Sequence, residues 1–530
     1  MKIGALIEAL RRPAAYPHPV DSVEVRQTHI SAVFLAGSCA YKVKKPVNLG
    51  FLDFTTAERR LHDCKEEVRL NRRLAPRIYV GVVPVTATPD GGAEIEGRGP
   101  VVEHAVKMRR LPDDATLEAL LAEQRPVRGI VERLGRRIAR FHRDADAGPE
   151  ISRYGRWNVV ASNARENLEQ SGSHVGDTVS REVHGRLADL LEARLVELRP
   201  LMEARARRGM PRDTHGDLHL EHVYVLPDRD PPDDLVVIDC VEFNERFRYA
   251  DPVSDTAFLS MDLLWHGRPG LARRFDAAWT SESGDDEGSM LLPFYRSYRA
   301  AVRAKVEGMV TEQKEVPQEE RRRAAERARG HWLLALSELA DPGERPAMVL
   351  VGGLPGTGKS TLAGELGRRA GFRVVSSDVV RKELAGLRGG VPASAAFEEG
   401  IYTPEWSRRT YQACLERAQE HLFRGERVLV DASFREEGNR RLFLEAAGRW
   451  GVRSRLLLCR APREVVRRRL RERTGGISDA DWQIYRRSAR AWEEPALKTR
   501  RFVVAVPTGG TREEMLEAAL LVLSEAGITG

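Results

Sequence analysis

The stretch AMVLVGGLPGTGKS, residues 347–360, decides the fold of the last third of this chain. Its first five residues form a short apolar run of the kind found in buried parallel strands. Gly353 to Ser360 follow directly and fit the pattern G-x-x-x-x-G-K-[ST], which marks a phosphate-binding loop where it joins a strand to a helix. The sequence predicts that arrangement here, because the segment after the loop, TLAGELGRRA, has a helical pattern.

The positions of this loop differ in their predicted tasks. The glycines let backbone N–H groups close around phosphate oxygens, and a helix beginning near Gly358 directs the positive end of its dipole at them. Lys359 is predicted to reach the β- and γ-phosphates of ATP, and the Ser360 hydroxyl to bind Mg²⁺. The predicted nucleotide-binding residues are Gly353, Gly356, Thr357, Gly358, Lys359, Ser360 and Thr361.

Apolar runs and helical segments alternate beyond the loop. This alternation indicates a doubly wound α/β fold with a parallel sheet. We predict such a P-loop domain over residues 346–530 and a separate domain over residues 1–340, joined by the turn-like segment ADPGERP. The predicted strands are AMVLV, RVVSS, RVLVD, SRLLLC and FVVAV.

Two carboxylates follow strands of this predicted sheet. Asp378 comes after RVVSS, and we predict that it takes the proton of an attacking hydroxyl while Arg381 holds an acceptor phosphate or the developing charge. Asp431 ends RVLVD and suits a Walker-B-like role near Mg²⁺. The plainer alternatives are a helix N-cap with a surface arginine at 378–381 and a structural strand-end carboxylate at 431.

A basic helix further along, RAPREVVRRRLRERTGG, supplies two more candidates. Arg469 and Arg473 share one helical face and are predicted to close over the transferring phosphates as a lid, the alternative being a solvated face. Together, GLPGTGKST, the D-x-x-R segment, VLVDASF and R-L-x-x-R resemble the P-loop kinases that include polynucleotide 5′-kinases, gluconate-kinase-like enzymes and zeta-toxin-like kinases. The resemblance covers about residues 346–530 and implies ATP-dependent phosphorylation of a hydroxyl.

The N-terminal part has a different pattern. Residues 22–47 predict three antiparallel strands with a tight turn at Gly37-Ser38, and a helix follows from about Thr55 to Leu74. Further extended segments come next, a helical pattern runs from about Leu117 to His142, and the remainder is mostly helical to about Leu339. We expect an α+β domain with an antiparallel sheet first and a mainly helical part after it.

A histidine-rich segment in this domain, HGDLHLEH at residues 215–222, is followed by VID at 237–239. These segments resemble the catalytic loop and metal-binding Asp of aminoglycoside and choline phosphotransferases, which are relatives of the protein kinases with an N-lobe and a C-lobe. The resemblance, over about residues 25–310, implies that Asp217 is the catalytic base and that Asp239 holds Mg²⁺. It also implies that Asp251-Pro252 and Asp255 buttress the loop.

The same resemblance extends upstream. Lys42 resembles the strand lysine that binds the α- and β-phosphates, and Glu67 resembles its ion-pair partner on the next helix. Lys44 shares a strand face with Lys42, so the choice between them stays open, whereas Lys45 points the other way.

One position departs from that family. Its second metal ligand is Asn, and this chain has His222 there. Imidazole is a poorer match than an amide oxygen for Mg²⁺, so the departure indicates use of Mn²⁺, a shifted ligand, or a degenerate domain that binds nucleotide without catalysis. A zinc site built from His215, His219 and His222 is a further alternative, disfavoured because no cysteine accompanies it.

Composition limits the remaining classes. The chain has 530 residues, is 42% hydrophobic and carries a formal charge of +7. It lacks both a long apolar run and a signal-like start, so we expect a cytoplasmic protein without membrane contact.

The five cysteines are far apart and form no C-x-x-C pair, which argues against disulfides and zinc ribbons. Residues 345–530 carry 33 Arg and Lys against 23 Asp and Glu, which favours phosphate-bearing ligands.

The whole arrangement resembles bacterial proteins described as bifunctional aminoglycoside phosphotransferase/ATP-binding proteins. It implies two ATP- and Mg²⁺-dependent sites that phosphorylate a small hydroxylated acceptor, such as a metabolite, a sugar or an aminoglycoside-like compound. Two alternatives stay open. The basic C-terminal domain could phosphorylate 5′-hydroxyl ends of nucleic acid, or the chain could be a nucleotide-responsive regulatory protein with a degenerate N-terminal kinase.

Overall fold

The computed structural model describes residues 1–50, 52–387, 403–472 and 481–530. By its internal contacts the chain divides into two compact units. The first comprises Met1–Ala161, Leu198–Leu263 and Arg268–Tyr295, and the second comprises Ser162–Glu197, Leu264–Gly267 and Arg296–Gly530. The second unit thus includes helical segments that precede residue 340, and the sequence-based boundary between residues 340 and 346 stays a prediction.

The first unit begins with a six-stranded antiparallel sheet in the order β1-β2-β3-β6-β4-β5. The tight turn at Gly37 and Ser38 pairs β2 with β3 so that Ala36 lies opposite Cys39, which confirms the predicted hairpin. The strands are β1 Val23–Gln27, β2 Ser31–Ala36, β3 Cys39–Lys44, β4 Tyr79–Ala87, β5 Ala93–Ile95 and β6 Val101–Arg109.

Two helices accompany this sheet. Helix α1 (Ile3–Leu10) buries Leu6 and Leu10 in the core on one face of the sheet. Helix α2 (Ala57–Asn71) begins where the Thr56 side chain accepts a hydrogen bond from the backbone N–H of Arg59. Its buried face includes Cys64 and Val68, which pack in a core cluster with residues of β3, β4 and β6. That packing fixes the rotation of α2 relative to the sheet.

Helices dominate the chain after β6. The helical pattern over residues 117–142 forms two helices instead of one, with Pro126 between them, because proline lacks the N–H that an uninterrupted helix needs. The elements are α3 Leu117–Ala122, α4 Arg128–Asp144, α5 Pro149–Ser152, α6 Trp157–Gln170, α7 Arg181–Arg207, β7 Arg212–Asp213, β8 Val223–Val225, β9 Leu235–Val237, α8 Glu245–Arg248, β10 Tyr249–Ala250, α9 Pro252–Trp265, α10 Pro269–Ser283, α11 Leu292–Thr311 and α12 Gln318–Leu339.

The second unit contains a five-stranded, wholly parallel sheet in the order β12-β13-β11-β14-β15. This confirms the predicted doubly wound P-loop fold. Its elements are β11 Ala347–Gly352, α13 Lys359–Ala370, β12 Arg373–Ser376, α14 Ser377–Leu384, α15 Pro404–Phe423, β13 Arg427–Asp431, α16 Glu437–Arg449, β14 Arg453–Arg460, α17 Arg463–Glu472, α18 Trp482–Arg490, α19 Leu497–Arg500, β15 Val503–Pro507 and α20 Arg512–Glu525.

The strand order determines where this sheet can bind a ligand. The central strand, β11, has β13 on one side and β14 on the other, so the chain leaves β11 toward one edge of the sheet and later returns to the other. Ligands of doubly wound sheets bind beyond the carboxyl ends of the strands at such a reversal. The loop after β11, the start of α14 and the end of β13 all lie at that end. Among the described helices, none combines the length and the apolar character needed to cross a membrane.

Candidate functional site

The loop after β11 has the backbone that its glycines require. Gly353, Gly356 and Gly358 have φ values of 141°, 77° and 94°, which L side chains rarely adopt. A Cβ at Gly353 would lie 2.8 Å from the carbonyl oxygen of Cys459, and one at Gly356 would lie 2.9 Å from Cγ of Leu470. Helix α13 begins at Lys359, directly after the loop, as predicted. The N–H groups of its first turn have no partner within the helix and therefore face the space that the loop surrounds.

The polar side chains of this loop contact its backbone and β13. Lys359 Nζ donates to the carbonyl oxygen of Leu354 at 3.0 Å, and Thr357 Oγ1 donates to the same oxygen at 2.7 Å. The Ser360 side chain lies near Asp431. Burial raises the pKa of Asp431, an effect that Lys359 and Ser360 partly offset. The structure thus brings together a lysine, a hydroxyl and a carboxylate that the sequence assigned to one site.

The predicted acceptor side of this site lies at the start of α14. Asp378 is in the first turn of that helix, and its charge contributes to the raised pKa of Asp431 behind the larger effect of burial. The N-cap of α14 is Ser376, so Asp378 does not have the capping position that the plainer alternative gave it. Arg381 lies one turn further on and is only 7% exposed, which argues against an ordinary surface arginine.

Of the two predicted lid arginines, Arg469 lies on α17 against the phosphate loop. Its Nη1 atom is 3.4 Å from the point where a Cβ on Gly358 would lie. Nη1 is buried and finds no hydrogen-bond partner in the part of the chain that the structure describes. A buried guanidinium N–H needs an acceptor, and a phosphate oxygen at the loop fits that need. Arg473 lies outside the described residues.

The oxygen atoms at this site suit Mg²⁺. The Ser360 hydroxyl and the Asp431 carboxylate are hard oxygen donors of the kind that Mg²⁺ takes alongside phosphate oxygens and water. The predicted ligand pair therefore fits the ion on chemical grounds.

In the first unit, three predicted residues from distant parts of the chain converge on one point. Lys42 Nζ on β3 lies 2.9 Å from Glu67 Oε1 on α2 and 2.6 Å from Asp239 Oδ1, which follows β9. Burial opposes a charged Lys42, but Asp239 and Glu67 outweigh it and raise its pKa well above the usual value. Burial likewise opposes the charged form of Asp239, yet Lys42 and His222 keep its pKa well below the usual value.

The second candidate lysine, Lys44, shares Glu67 with Lys42 but has Glu242 as its other acidic partner. Lys44 Nζ contacts Glu67 Oε2 at 2.8 Å and also bonds Glu242, and it lies 5.0 Å from the ring centroid of Phe54. The Lys44 side chain is 1% exposed, whereas that of Lys42 is 13% exposed. The geometry thus favours Lys42 as the lysine that a ligand can reach, and it gives Lys44 a buried ion-pair network.

Sequence reasoning missed Glu242. It lies three residues after Asp239, and burial raises its pKa while Lys44 opposes the rise. The signal available in the sequence was the segment DCVEF, where an acid stands among apolar residues and so requires a buried partner.

The loop that carries Asp217 is held by hydrogen bonds to its backbone. Asp255 Oδ2 and Oδ1 accept from the backbone N–H groups of His215 and Gly216 at 3.1 and 2.9 Å. His142 Nε2 lies 3.0 Å from Asp255 Oδ2, in a fully buried contact. Asp262, which the sequence did not single out, accepts from the backbone N–H of Leu220 at 2.8 Å. These contacts agree with the predicted buttressing role of Asp255.

Two imidazoles lie beside Asp217. His219 Nε2 is 3.4 Å from Asp217 Oδ2, and the rings of His219 and His222 have centroids 3.9 Å apart. His222 Nε2 lies 3.7 Å from Asp239 Oδ2, so His222 stands between the predicted base, Asp217, and the predicted metal-binding carboxylate, Asp239. His215 is not part of this group, because its Nε2 lies 2.9 Å from the carbonyl oxygen of Ile238. Burial lowers the pKa of His215 to about 4.

The donor atoms of this second site fit Mg²⁺ only in part. Asp239 and Asp217 offer carboxylate oxygens, as a Mg²⁺ site requires. His222 offers nitrogen where the related enzymes offer an amide oxygen, and nitrogen donors suit first-row transition metals better. The site therefore accommodates a divalent ion while departing from the ligand type that Mg²⁺ prefers.

Comparison of the sequence with protein families gives two matches. Residues 50–292 match the family described as "Phosphotransferase enzyme family", and residues 348–495 match the one described as "AAA domain". The first match contains Asp217 and Asp239, and the second contains the phosphate loop and Asp431. The predicted resemblances, to aminoglycoside-phosphotransferase-like enzymes and to P-loop kinases, are confirmed at this level, and the chain carries kinase-family domains of both kinds.

Relatives of the whole chain occur in mycobacteria. Uncharacterized protein Rv2004c of Mycobacterium tuberculosis and Uncharacterized protein Mb2027c of Mycobacterium bovis are each 34% identical over 472 residues, which cover 88% of this chain and 90% of theirs. Similar solved structures include a gluconokinase from Sinorhizobium meliloti, with 20% identity, a TM-score of 0.26 and coverage of 34% of this chain and 94% of that one. A sugar kinase from Janibacter has 19% identity, a TM-score of 0.28 and coverage of 35% and 98%.

Proposed function

The chain belongs to the family that includes these mycobacterial relatives, and from this premise we propose that it transfers phosphoryl groups from ATP to a hydroxyl of a small acceptor. Its matches to a phosphotransferase family and to a P-loop domain family support phosphoryl transfer. Beyond that class of activity, the proposal specifies the type of acceptor, the participation of both sites and the residues that act in each. The acceptor class is a small hydroxylated compound, such as a metabolite, a sugar or an aminoglycoside-like molecule.

The observation that carries the proposal is the contact of Lys42 with both Glu67 and Asp239, at 2.9 and 2.6 Å. A phosphotransferase of this kind needs a lysine for the ATP phosphates, an acid that orients the lysine and a carboxylate for the metal ion at one place. These residues are separated by up to 197 positions in the chain. Their convergence is what a nucleotide site of this kind requires.

In the N-terminal site each side chain has a separate task. Lys42 binds the α- and β-phosphates, and Glu67 keeps its ammonium group in place. Asp239 and His222 hold the divalent ion, which supplies charge neutralisation at the phosphates. Asp217 accepts the proton of the acceptor hydroxyl, since its carboxylate is 35% exposed and so remains accessible to an acceptor.

In the C-terminal site the phosphate loop binds the nucleotide and Ser360 and Asp431 hold Mg²⁺. Asp378 removes the proton from the second acceptor, and Arg381 binds that acceptor or the charge that develops during transfer. Arg469 donates its buried Nη1–H to the transferring phosphate, because this N–H otherwise lacks an acceptor among the described residues.

The proposal is tested by a screen for ³²P transfer from ATP. The full-length protein, a Lys359→Ala variant and an Asp217→Asn variant are each offered sugars, aminoglycosides, nucleosides and 5′-hydroxyl oligonucleotides. We expect a small hydroxylated compound to be labelled, and the two variants to show which site labels it. Labelling of none of these compounds by the unaltered protein, with either Mg²⁺ or Mn²⁺, would contradict the proposal.

A nucleic-acid acceptor is the second candidate, and one observation favours it. The Trp482 ring stacks on Tyr485 and lies within 6.0 Å of the guanidinium groups of both Arg463 and Arg467. Arginines beside stacked aromatic rings are typical of surfaces that bind single strands. Oligonucleotide labelling that falls steeply with salt would support this candidate, whereas indifference to added polyanions would favour the small acceptor.

The role of Asp378 gives a prediction for the C-terminal site. In an Asp217→Asn background, Asp378→Asn should lower the rate of transfer about 10²-fold while leaving the affinity for ATP unchanged, because the amide cannot accept the proton. The measurement is the single-turnover transfer rate together with ATP binding by calorimetry. An equal loss of ATP affinity would assign Asp378 to metal or structure instead of proton transfer.

The residue at position 222 gives a prediction for the N-terminal site. In a Lys359→Ala background, transfer should be supported by Mn²⁺ at least as well as by Mg²⁺, and His222→Asn should shift the ratio of the two activities about tenfold toward Mg²⁺. The reason is that an amide oxygen replaces a nitrogen ligand. The ratio of kcat/KM with each ion measures the shift. An unchanged ratio would show that His222 does not contact the ion.

A further inference from the structure

Asp217, His219 and His222 form a group of possible metal ligands, so His222 is not an isolated change at one ligand position. One ligand atom from each of these side chains can be chosen so that all three lie within 4.8 Å of one another. We propose that the three side chains bind a transition-metal ion, Zn²⁺ in particular, and that this ion inhibits phosphoryl transfer at the N-terminal site. The inhibition rests on the proposed function, because it requires Asp217 to be the base.

The distances within the group match a metal site. A tetrahedral Zn²⁺ with bonds of about 2.0–2.2 Å has neighbouring ligand atoms roughly 3.3–3.6 Å apart. His219 Nε2 lies 3.4 Å from Asp217 Oδ2, which already satisfies this condition. His222 is the third member of the group, and the centroid of its ring lies 3.9 Å from that of His219. All three ligand atoms lie within 4.8 Å of one another, so the third has to approach the other two by no more than roughly 1.5 Å to complete the site.

A hydrogen bond orients one of the two imidazoles for metal binding. His222 Nδ1 lies 2.9 Å from the backbone carbonyl oxygen of Asp217. A carbonyl oxygen only accepts, so Nδ1 carries the hydrogen and Nε2 of the neutral ring keeps its lone pair. Histidines that bind metals commonly donate their other N–H to a carbonyl in this manner, which fixes the tautomer and the ring.

The chemical type of the donors selects the ion. Two imidazole nitrogens and one carboxylate form a set that binds first-row metals in the order Mn²⁺ below Co²⁺ and Zn²⁺, and it binds Mg²⁺ poorly. The side chains of His219 and His222 are 5% and 13% exposed, so the protein already holds both rings in place. Neither ring needs to be ordered when the ion binds.

Metal binding removes the base from the reaction. The carboxylate of Asp217 accepts a proton through an oxygen lone pair, and a Zn²⁺ bound to one of its oxygens would withdraw negative charge from both and so lower their basicity. The acceptor hydroxyl then keeps its proton and attacks ATP poorly. Mn²⁺ binds the same donors more weakly. It can therefore support transfer when bound by Asp239 and His222 and leave the Asp217 carboxylate available as the base.

The binding of metal alone tests the site. Zn²⁺ is titrated by calorimetry into the full-length protein without nucleotide, and Co²⁺ is followed by its visible absorption. The variants are His219→Gln and His222→Asn, and the matched control is His29→Asn, which alters an exposed histidine outside the group. We expect each site variant to weaken Zn²⁺ binding at least about tenfold and the control to bind as the parent does. Equal affinity in parent and site variants would overturn the proposal.

Inhibition is measured in a Lys359→Ala background, where the N-terminal site supplies the transfer. Zn²⁺ should inhibit Mg²⁺-supported transfer, and His219→Gln should require at least about tenfold more Zn²⁺ for half inhibition. Equal inhibition of parent and variant would contradict the proposed mechanism of inhibition. Absence of transfer with every metal ion would contradict the proposed function, and the titration with metal alone would still decide whether the Zn²⁺ site exists.

Discussion

Replacing Lys359 with alanine is expected to lower ATP turnover at the C-terminal site at least about 10³-fold. The loop contains no other lysine, and the ammonium group of Lys359 lies at the start of α13, 3.0 Å from the carbonyl oxygen of Leu354. Its removal takes away the charge that stabilises the β- and γ-phosphates during transfer. The measurement is the ATP turnover of the full-length protein in an Asp217→Asn background, so that the N-terminal site contributes little.

Two controls separate this effect from a general loss of structure. Lys498→Ala removes an exposed lysine from α19 in the same unit and should leave turnover unchanged. The thermal unfolding of Lys359→Ala should match that of its parent, because Lys359 makes only one hydrogen bond to the protein that the structure records. Near-normal turnover in a folded Lys359→Ala protein would contradict the assignment of the phosphate loop.

Replacing Asp217 with asparagine is expected to lower transfer at the N-terminal site about 10³-fold while nucleotide binding persists. Asparagine keeps the shape of the side chain but cannot take a proton. The backbone of this loop should be unaffected, since Asp255 binds it through the N–H groups of His215 and Gly216. The single-turnover rate in a Lys359→Ala background, with ATP affinity measured alongside, checks the prediction.

A control variant tests whether the loss of a carboxylate elsewhere in the chain also lowers the rate. Asp144→Asn alters a carboxylate that is 74% exposed at the end of α4, and it should leave the rate unchanged. Retained transfer in Asp217→Asn would remove Asp217 from the chemistry. If the Lys359→Ala parent binds nucleotide but neither hydrolyses nor transfers with Mg²⁺ or Mn²⁺, the regulatory interpretation replaces that of an active N-terminal kinase.

The sequence by itself determined the elements whose signals are local. The apolar run before Gly353 and the glycine spacing predicted β11, the loop and the start of α13, because strand, turn and helix each depend on residues only a few positions apart. The hairpin of β2 and β3 was predictable for the same reason. Pro126 accounts for one difference, since the predicted helical stretch over residues 117–142 is divided into α3 and α4.

The tertiary structure alone decided which partners the functional side chains have. Lys42 and Lys44 share a strand face, so the period of two could not distinguish them. The packing of distant segments places Asp239 beside Lys42 and Glu242 beside Lys44, and Glu67 contacts both lysines.

The same limit applies to the histidines near Asp217. Their spacing suggested His215, His219 and His222 as one possible group, but a backbone turn directs His215 toward Ile238 and leaves the other two beside the carboxylate. Periodicity in a sequence reports the face on which a side chain lies. Its partner depends on contacts between segments far apart in the chain, and only the folded structure fixes those contacts.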